Sequence, residues 1–356
     1  MNKLYKIVFG LIILVTSCDK IIAQDGPDVH LTQYNASPLN LNPALAGLNT
    51  CRFRLNANTK FQYANSSNFP FVYKTANVGF DMSISRGYKY KNFFGFGLNY
   101  YTDVAGDINY ATHKLELALA YHIQLNKYAT STLSLAIIGG AGYRTIDWNR
   151  STYNDQYNGV EYDPNGPREV LDRNNFFYGD VGAGALWNMT RKVSKKNNDY
   201  KFYNNYYIGL YASHLNQPKL VFFKDNPERQ YARIAFHGGG AILVKGKFAM
   251  LPSFMFLHQG AANELNIGTY ARYQLGYLPE NKMAIYIGMF ARVNNQFDAI
   301  APAIRFDYRK LQVGFSYDVN VSKLSPGTRS NGGPELSIIY GGCFGNNNKV
   351  KFCPQL

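Results

Sequence analysis

The sequence predicts an all-β protein: a transmembrane outer-membrane β-barrel of about 14 antiparallel strands, with a short N-terminal segment folded into or across the barrel. Three observations predict it. Apolar and polar residues alternate strictly through stretches of roughly nine to thirteen residues, enough to cross a hydrocarbon core when tilted. Aromatic residues are 15% of the chain, with 29 tyrosines, although mean hydropathy is only -0.27. The first residues read as an export leader.

The leader comes first. Lys3 and Lys6 precede an apolar run, residues 7–15, that is too short for a transmembrane helix. Cleavage after Ala23, where a small residue fits the peptidase, makes residues 1–23 a signal peptide. The stretch Val15-Thr16-Ser17-Cys18 also reads as a lipoprotein box in which Cys18 would be acylated; the Ala23 exit is preferred. Either exit takes the chain out of the cytoplasm.

Residues 24–52 follow as a plug-like segment. Its centre, QYNASPLNLNPALAG (33–47), is apolar, lacks strand alternation and is broken by Pro38 and Pro43. Asn42 can cap a single helical turn with Pro43 at its first position, and Gly47 can end it. An apolar, broken segment beside a barrel mouth does not remain in water. It is expected to fold into the lumen as a partial plug or to lie across the periplasmic opening, with Tyr34, Pro38, Asn42, Pro43 and Gly47 as its distinguishing residues. An ordinary ordered extension is the alternative.

The barrel is assigned to residues 53–342. In HKLELALAYHIQL, Leu115, Leu117, Leu119, Tyr121, Ile123 and Leu125 share one face, with Lys114, Glu116, Ala118, Ala120, His122 and Gln124 opposite. NVGFDMSIS, FFGFGLNYY and VGFSYDVNVS repeat the pattern. Strands are predicted to start near residues 53, 72, 93, 108, 131, 176, 203, 231, 247, 263, 282, 297, 311 and 334. A secreted β-sandwich would use strands of about five or six residues, and the aromatic load also argues against it.

The connections alternate in character. The fifth (EYDPNGPREVLD), seventh (NQPKLVFFKDNPERQ) and thirteenth (SKLSPGTRSNGG) are long, and most even ones are short, which places the even turns in the periplasm. TRKVSKKNNDYK, after the sixth strand, is long for such a turn. The formal charge is +14, of which the leader carries a small part. The even turns hold Arg86, Lys89, Lys91, Lys127, Arg191, Lys192, Lys195, Lys196, Lys245, Lys247, Lys282, Arg309 and Lys310, against Asp199, Glu280 and Asp307. This basic face meets either anionic lipid headgroups or an acidic periplasmic partner. Export and the aromatic load argue against nucleic acid as the partner.

With Cys18 removed in the leader, Cys51, Cys343 and Cys353 remain; the last two, in a periplasmic tail assigned to residues 343–356, could close a small loop, and the odd count then leaves one thiol free or cross-linked. No GxSxG, HExxH, Walker loop or EF-hand is present, and no cofactor or metal is expected. Ser213, His214 and Asp318 are the least implausible members of a hydrolytic site assembled across strands. Asp103 and Asp107 read as a solvated turn rather than a calcium loop.

QYNASPLNLNPALAG, SHLNQP (213–218), Leu251-Pro252-Ser253, VGFSYDVNVSKLSPGTRSNGGPELSIIY and the late Cys353-Pro354 together resemble the PorP/SprF family of type IX secretion outer-membrane proteins in Bacteroidota. The resemblance runs from about residue 29 to the C-terminus; Phe315 stands where the family usually has Tyr. It implies a non-enzymatic barrel supporting secretion, gliding or surface anchoring of a large adhesin-type protein. The implied partners are outer-membrane lipids, that type IX secreted cell-surface protein and a periplasmic peptidoglycan-associated lipoprotein. Within SHLNQP, His214, Asn216, Gln217 and Pro218 are expected to shape an extracellular loop. A passive porin or solute channel is the runner-up.

Overall fold

The computed structural model describes residues 31–49, 51–62, 73–84, 92–126, 130–150, 156–157, 159–161, 163, 173–193, 202–222, 228–276, 282–294, 296–322 and 330–342. Fourteen strands close into one antiparallel barrel: β1 (Phe53–Gln62), β2 (Tyr73–Ile84), β3 (Phe93–Ala105), β4 (Tyr110–Gln124), β5 (Ser131–Thr145), β6 (Asn175–Val193), β7 (Phe202–Ser213), β10 (Arg233–Lys245), β11 (Phe248–Gln259), β12 (Ala262–Gly276), β13 (Met283–Val293), β14 (Phe297–Tyr308), β15 (Leu311–Asn320) and β16 (Asn331–Gly342). Two further strands, β8 (Lys219–Leu220) and β9 (Glu228–Arg229), form a small separate ribbon inside the connection after β7. The barrel closes where β1 pairs with β16, from Phe53 opposite Gly342 to Lys60 opposite Glu335. Closure removes every free edge, as backbone in hydrocarbon requires.

Alternation decides which side each residue faces. On β4, Leu115, Leu117 and Leu119 are more than half exposed on the outer wall, while Lys114, Ala118, Ala120 and His122 are buried toward the lumen. Ile137, Ile287 and Leu210 continue the apolar belt on β5, β13 and β7. Aromatic side chains gather near both ends of the wall. Phe53 packs with Phe80 and Tyr340 near one rim, and the Tyr143 and Phe177 rings lie 4.6 Å apart near the other. An apolar belt between two aromatic girdles is the outer surface of a membrane barrel. No described helix is long and apolar enough to cross a membrane; the strands do the crossing.

Observed strands begin within about three residues of the expected positions, since an alternating run bounded by turn residues leaves little freedom. Two boundaries differ. Residues 190–193 belong to β6 and β7 begins at Phe202, so the sixth connection is shorter than the sequence suggested. The NGG of the thirteenth connection opens β16 instead of ending the loop.

Fourteen strands enclose more space than side chains reaching from the wall can fill; closure at about eight strands is the case in which they suffice. Here residues 31–49 occupy that space. Leu31, Leu39, Leu41, Leu45 and Leu48 are each at most 2% exposed, and the last four share one core with wall residues such as Leu186, Tyr207, Leu251, Met255 and Phe290. The core of this protein therefore lies between an inserted segment and the inner wall.

Candidate functional site: the occupied lumen and the two rims

The lumenal segment is built from short turns because prolines and asparagines interrupt it. Pro38 sits at the first position of a single helical turn, α1 (Pro38–Leu41), where its missing N–H is harmless. Asn42 then caps a 3₁₀ turn, Pro43–Leu45, accepting from the Ala44 N–H at 2.9 Å. Gly47 follows at φ +70, a conformation that suits glycine, and a Cβ there would come within 2.6 Å of the Met82 carbonyl oxygen.

Its polar atoms are matched to the wall along its whole length. At one end the Thr32 and Gln33 N–H groups donate to the two oxygens of Glu335 at 2.8 and 2.9 Å. The Thr32 hydroxyl donates to Asp318 at 2.7 Å. Fully buried Lys60 lies 2.9 Å from Asp318 and 3.9 Å from Glu335, and Arg292 bridges Asp318 and Asp298. Buried charges persist only in such paired, hydrogen-bonded arrangements. Tyr34 donates to Ser253 at 2.9 Å.

In the middle, an amide ladder joins segment to wall. Ser37 donates to Asn77, Asn77 to Asn99, and Asn99 to both Asn40 and Glu116. The Asn42 cap fixes that amide's orientation. Its Nδ2 must therefore face Ala185 O, Leu210 O and His237 Nε2, the last at 3.0 Å, so neutral His237 accepts there and carries its proton on Nδ1. At the far end His122 Nε2 donates to Ala46 O at 2.8 Å. Asp81 accepts from the Gly47 N–H, from Asn49 and from Arg54. The wall yields at the closest approach: Gly95 leaves room that a Cβ would take from the Ala46 carbonyl.

Tyr34, Pro38, Asn42, Pro43 and Gly47 thus all lie inside the barrel, whereas the wall residues that receive the segment (Lys60, Asp81, His122, His237, Asp318 and Glu335) were not singled out for that role. Of the basic residues, Arg191, Lys245, Lys247, Arg309 and Lys310 are exposed at the short-turn rim, and Lys192 belongs to β6 there. Arg86, Lys89, Lys91, Lys195 and Lys196 lie outside the described residues.

At the long-loop rim, SHLNQP continues the pairing of β7 along β6. Asn216 bridges Gly179 O and the Val181 N–H, Leu215 N–H donates to Val181 O, and Gln217 N–H donates to His214 O. His214 is buried with its Nδ1 2.7 Å from Asp180, and buried Pro218 accepts from the Gln230 N–H. The motif is a splice that sets the root of the loop carrying β8 and β9. Ser213, His214 and Asp318 do not converge: Ser213 accepts from Arg233, His214 faces Asp180, and Asp318 belongs to the cluster around Lys60. Cys343 and Cys353 lie outside the described residues, and Cys51 is itself disulfide-bonded, so it is not the leftover thiol.

Solved structures similar to the chain are membrane barrels. BamA from Haemophilus ducreyi lacking POTRA domains 1-3 is 7% identical, with a TM-score of 0.41 over 82% of this chain and 70% of that one. The beta domain of the Bordetella autotransporter BrkA is 12% identical (TM-score 0.38; 82% of this chain, 99% of that one). CdiB from Acinetobacter baumannii is 8% identical (TM-score 0.38; 82% and 60%). No curated protein matches the chain. A family model described as "Type IX secretion system membrane protein PorP/SprF" matches residues 23–340. With the closed, girdled barrel, that match places the protein in the outer membrane. The chain belongs to the PorP/SprF family of type IX secretion system membrane proteins.

Proposed function

We propose that this type IX secretion component works as a closed, non-enzymatic scaffold in the outer membrane. It supports secretion or surface anchoring of a large adhesin-type protein through its long loops. It contacts a periplasmic peptidoglycan-associated lipoprotein through its basic short turns. Residues 31–49 act as the plug.

The observation that carries this reading is the occupied lumen: a channel needs a continuous wet path, and leucines of the inserted segment fill the space instead. The basic rim supports the periplasmic contact, since Asp307 is the acid that accompanies Lys245, Lys247, Lys282, Arg309 and Lys310 among the described residues of β10 to β15 at that end. The separation of Ser213, His214 and Asp318 removes the one hydrolytic constellation the sequence offered.

A mild-detergent pull-down of the tagged protein from its own membranes, followed by mass spectrometry, tests the proposal. Co-purification of a large secreted protein and a periplasmic lipoprotein is expected. A barrel that purifies alone overturns it in favour of a passive channel.

A further inference from the structure

On β12 to β15 the inward residues nearest the short-turn mouth form two rows. In the deeper row Arg272, Tyr286 and Arg305 stand directly opposite one another on three neighbouring strands. In the row nearer the mouth Gln274, Ala284, Asp307 and Gln312 do the same. Alternation sends both rows into the lumen, because their strand neighbours Tyr273, Leu275, Ile285, Ile304 and Phe306 are exposed on the outer wall. Lys282 immediately precedes β13 at the lip of the same mouth.

Two guanidinium groups share one ring here: Arg305 lies 4.4 Å and Arg272 5.9 Å from the centre of Tyr286. Asp307 accepts the Arg305 fork at 2.8 and 3.1 Å and the Tyr286 hydroxyl at 2.7 Å. Arg272 donates to Gln274, whose amide donates to the Met283 carbonyl at 2.8 Å. Lys282 adds a third cation. Partial desolvation and the Arg272 charge hold its ammonium below the ordinary lysine range, although Asp307 acts the other way.

The inserted segment stops short of this corner. Glu335 clamps its main chain at Thr32 and Gln33, toward the long-loop end of β16, and residues 46–49 meet the short-turn end at β2 and β4 on the other side. Beneath Gln33 and Asn35 a cavity of about 20 Å³ separates the segment from Arg305 and Gln312. Toward the mouth, Arg305 and Asp307 keep 13% and 19% of their side-chain surface, so the cationic row is reached from that side.

We propose that the short-turn mouth at β12–β14 is a docking site for an acidic peptide segment of a partner protein, whose carboxylates are received by Arg272 and Lys282 with Arg305 behind them. Position selects a peptide over a lipid. A headgroup is tethered to the bilayer outside the wall, whereas the two arginines face the inside of it. The exposed Lys245, Lys247, Arg309 and Lys310 are the cations of this rim placed to meet headgroups. Chemistry selects carboxylates, since planar guanidinium groups held in a fixed row bind planar anions through paired N–H donors. In naming the partner's chemistry the proposal rests on the scaffold reading above; the affinity of the mouth for carboxylates does not.

Fluorescence anisotropy tests it, with the purified full chain in neutral detergent and hexaglutamate carrying a neutral fluorophore as the probe. Hexaglutamate is expected to bind and hexaglutamine not to bind. The double variant Arg272→Gln, Lys282→Gln should weaken binding by about tenfold or more. Lys245→Gln, Lys247→Gln, which removes the same charge from the exposed rim, should change it by no more than about twofold. Lys282→Glu, in the turn before β13, should weaken binding by itself and decides the matter if the Arg272 variant fails to fold. Equal losses from the two double variants, or no binding by the parent chain, overturn the proposal. So does displacement of the peptide by short-chain phosphatidylglycerol but not by phosphatidylcholine, which assigns the site to headgroups. A barrel that purifies alone from its membranes yet binds hexaglutamate through these residues removes the scaffold reading and leaves the site standing.

Discussion

The outer wall and the lumen of this barrel are built from the same strands under opposite rules. Outside, Leu115, Leu117, Leu119, Ile137 and Ile287 face liquid hydrocarbon that adapts to any apolar shape, so one such side chain replaces another at little cost. Inside, side chains along residues 31–49 meet particular wall atoms, and the carboxylates of Asp81 and Glu335 each bind backbone of the segment. The lesson is that the wall determines only that a barrel forms. The lumen, where the inserted segment is held by individual contacts, carries the part of the molecule that is particular to this chain.

That contrast can be broken most severely from inside. Glu335→Ala removes the clamp and leaves Lys60 buried beside a single carboxylate. A loss of about 3–5 kcal/mol is expected in denaturant unfolding from detergent. Leu45→Ala, at a site with no exposure, should cost about 2–5 kcal/mol by the same assay. Asn42→Ala loses the cap and the acceptor contact of His237, for roughly 1–3 kcal/mol. The outside sharpens the comparison. Ile287→Lys, near the middle of β13, should destabilise by about 2–4 kcal/mol in liposomes, since charge is what lipid rejects. Ile137→Val should stay within about 0.5 kcal/mol in the same preparation. Equal costs for Ile137→Val and Leu45→Ala would remove the distinction altogether.

Much of the wall was legible in the sequence, because period-2 alternation is local. HKLELALAYHIQL displays its two faces without any knowledge of neighbouring strands. Composition misled where it overrode alternation. The Asn and Gly residues at the start of β16 read as loop, and residues 190–193 were assigned to a turn because basic residues follow them. The lumen was harder. Residues 33–47 stand out as too apolar and too broken for either a strand or a free tail, but nothing local identifies their receptors. Thr32 and Glu335 are 303 positions apart, and Asn42 and His237 are 195. One signal was available. Asp81 stands between Phe80 and Met82, and His237 between Phe236 and Gly238, on alternating strands. In a membrane barrel such a residue must face the lumen, and if the lumen is filled it must have a partner. Cys51 shows the same limit, since its pairing cannot be read from cysteine spacing.

The central claim is that the native barrel is closed by its own N-terminal segment, and conductance in a planar bilayer tests it most directly. The full chain should insert without opening a steady ionic pathway, whereas removal of residues 32–48 from barrels that still migrate as folded species should produce one. A wild-type barrel that conducts continuously, at a level the deletion leaves unchanged, would contradict the account and identify the protein as a channel.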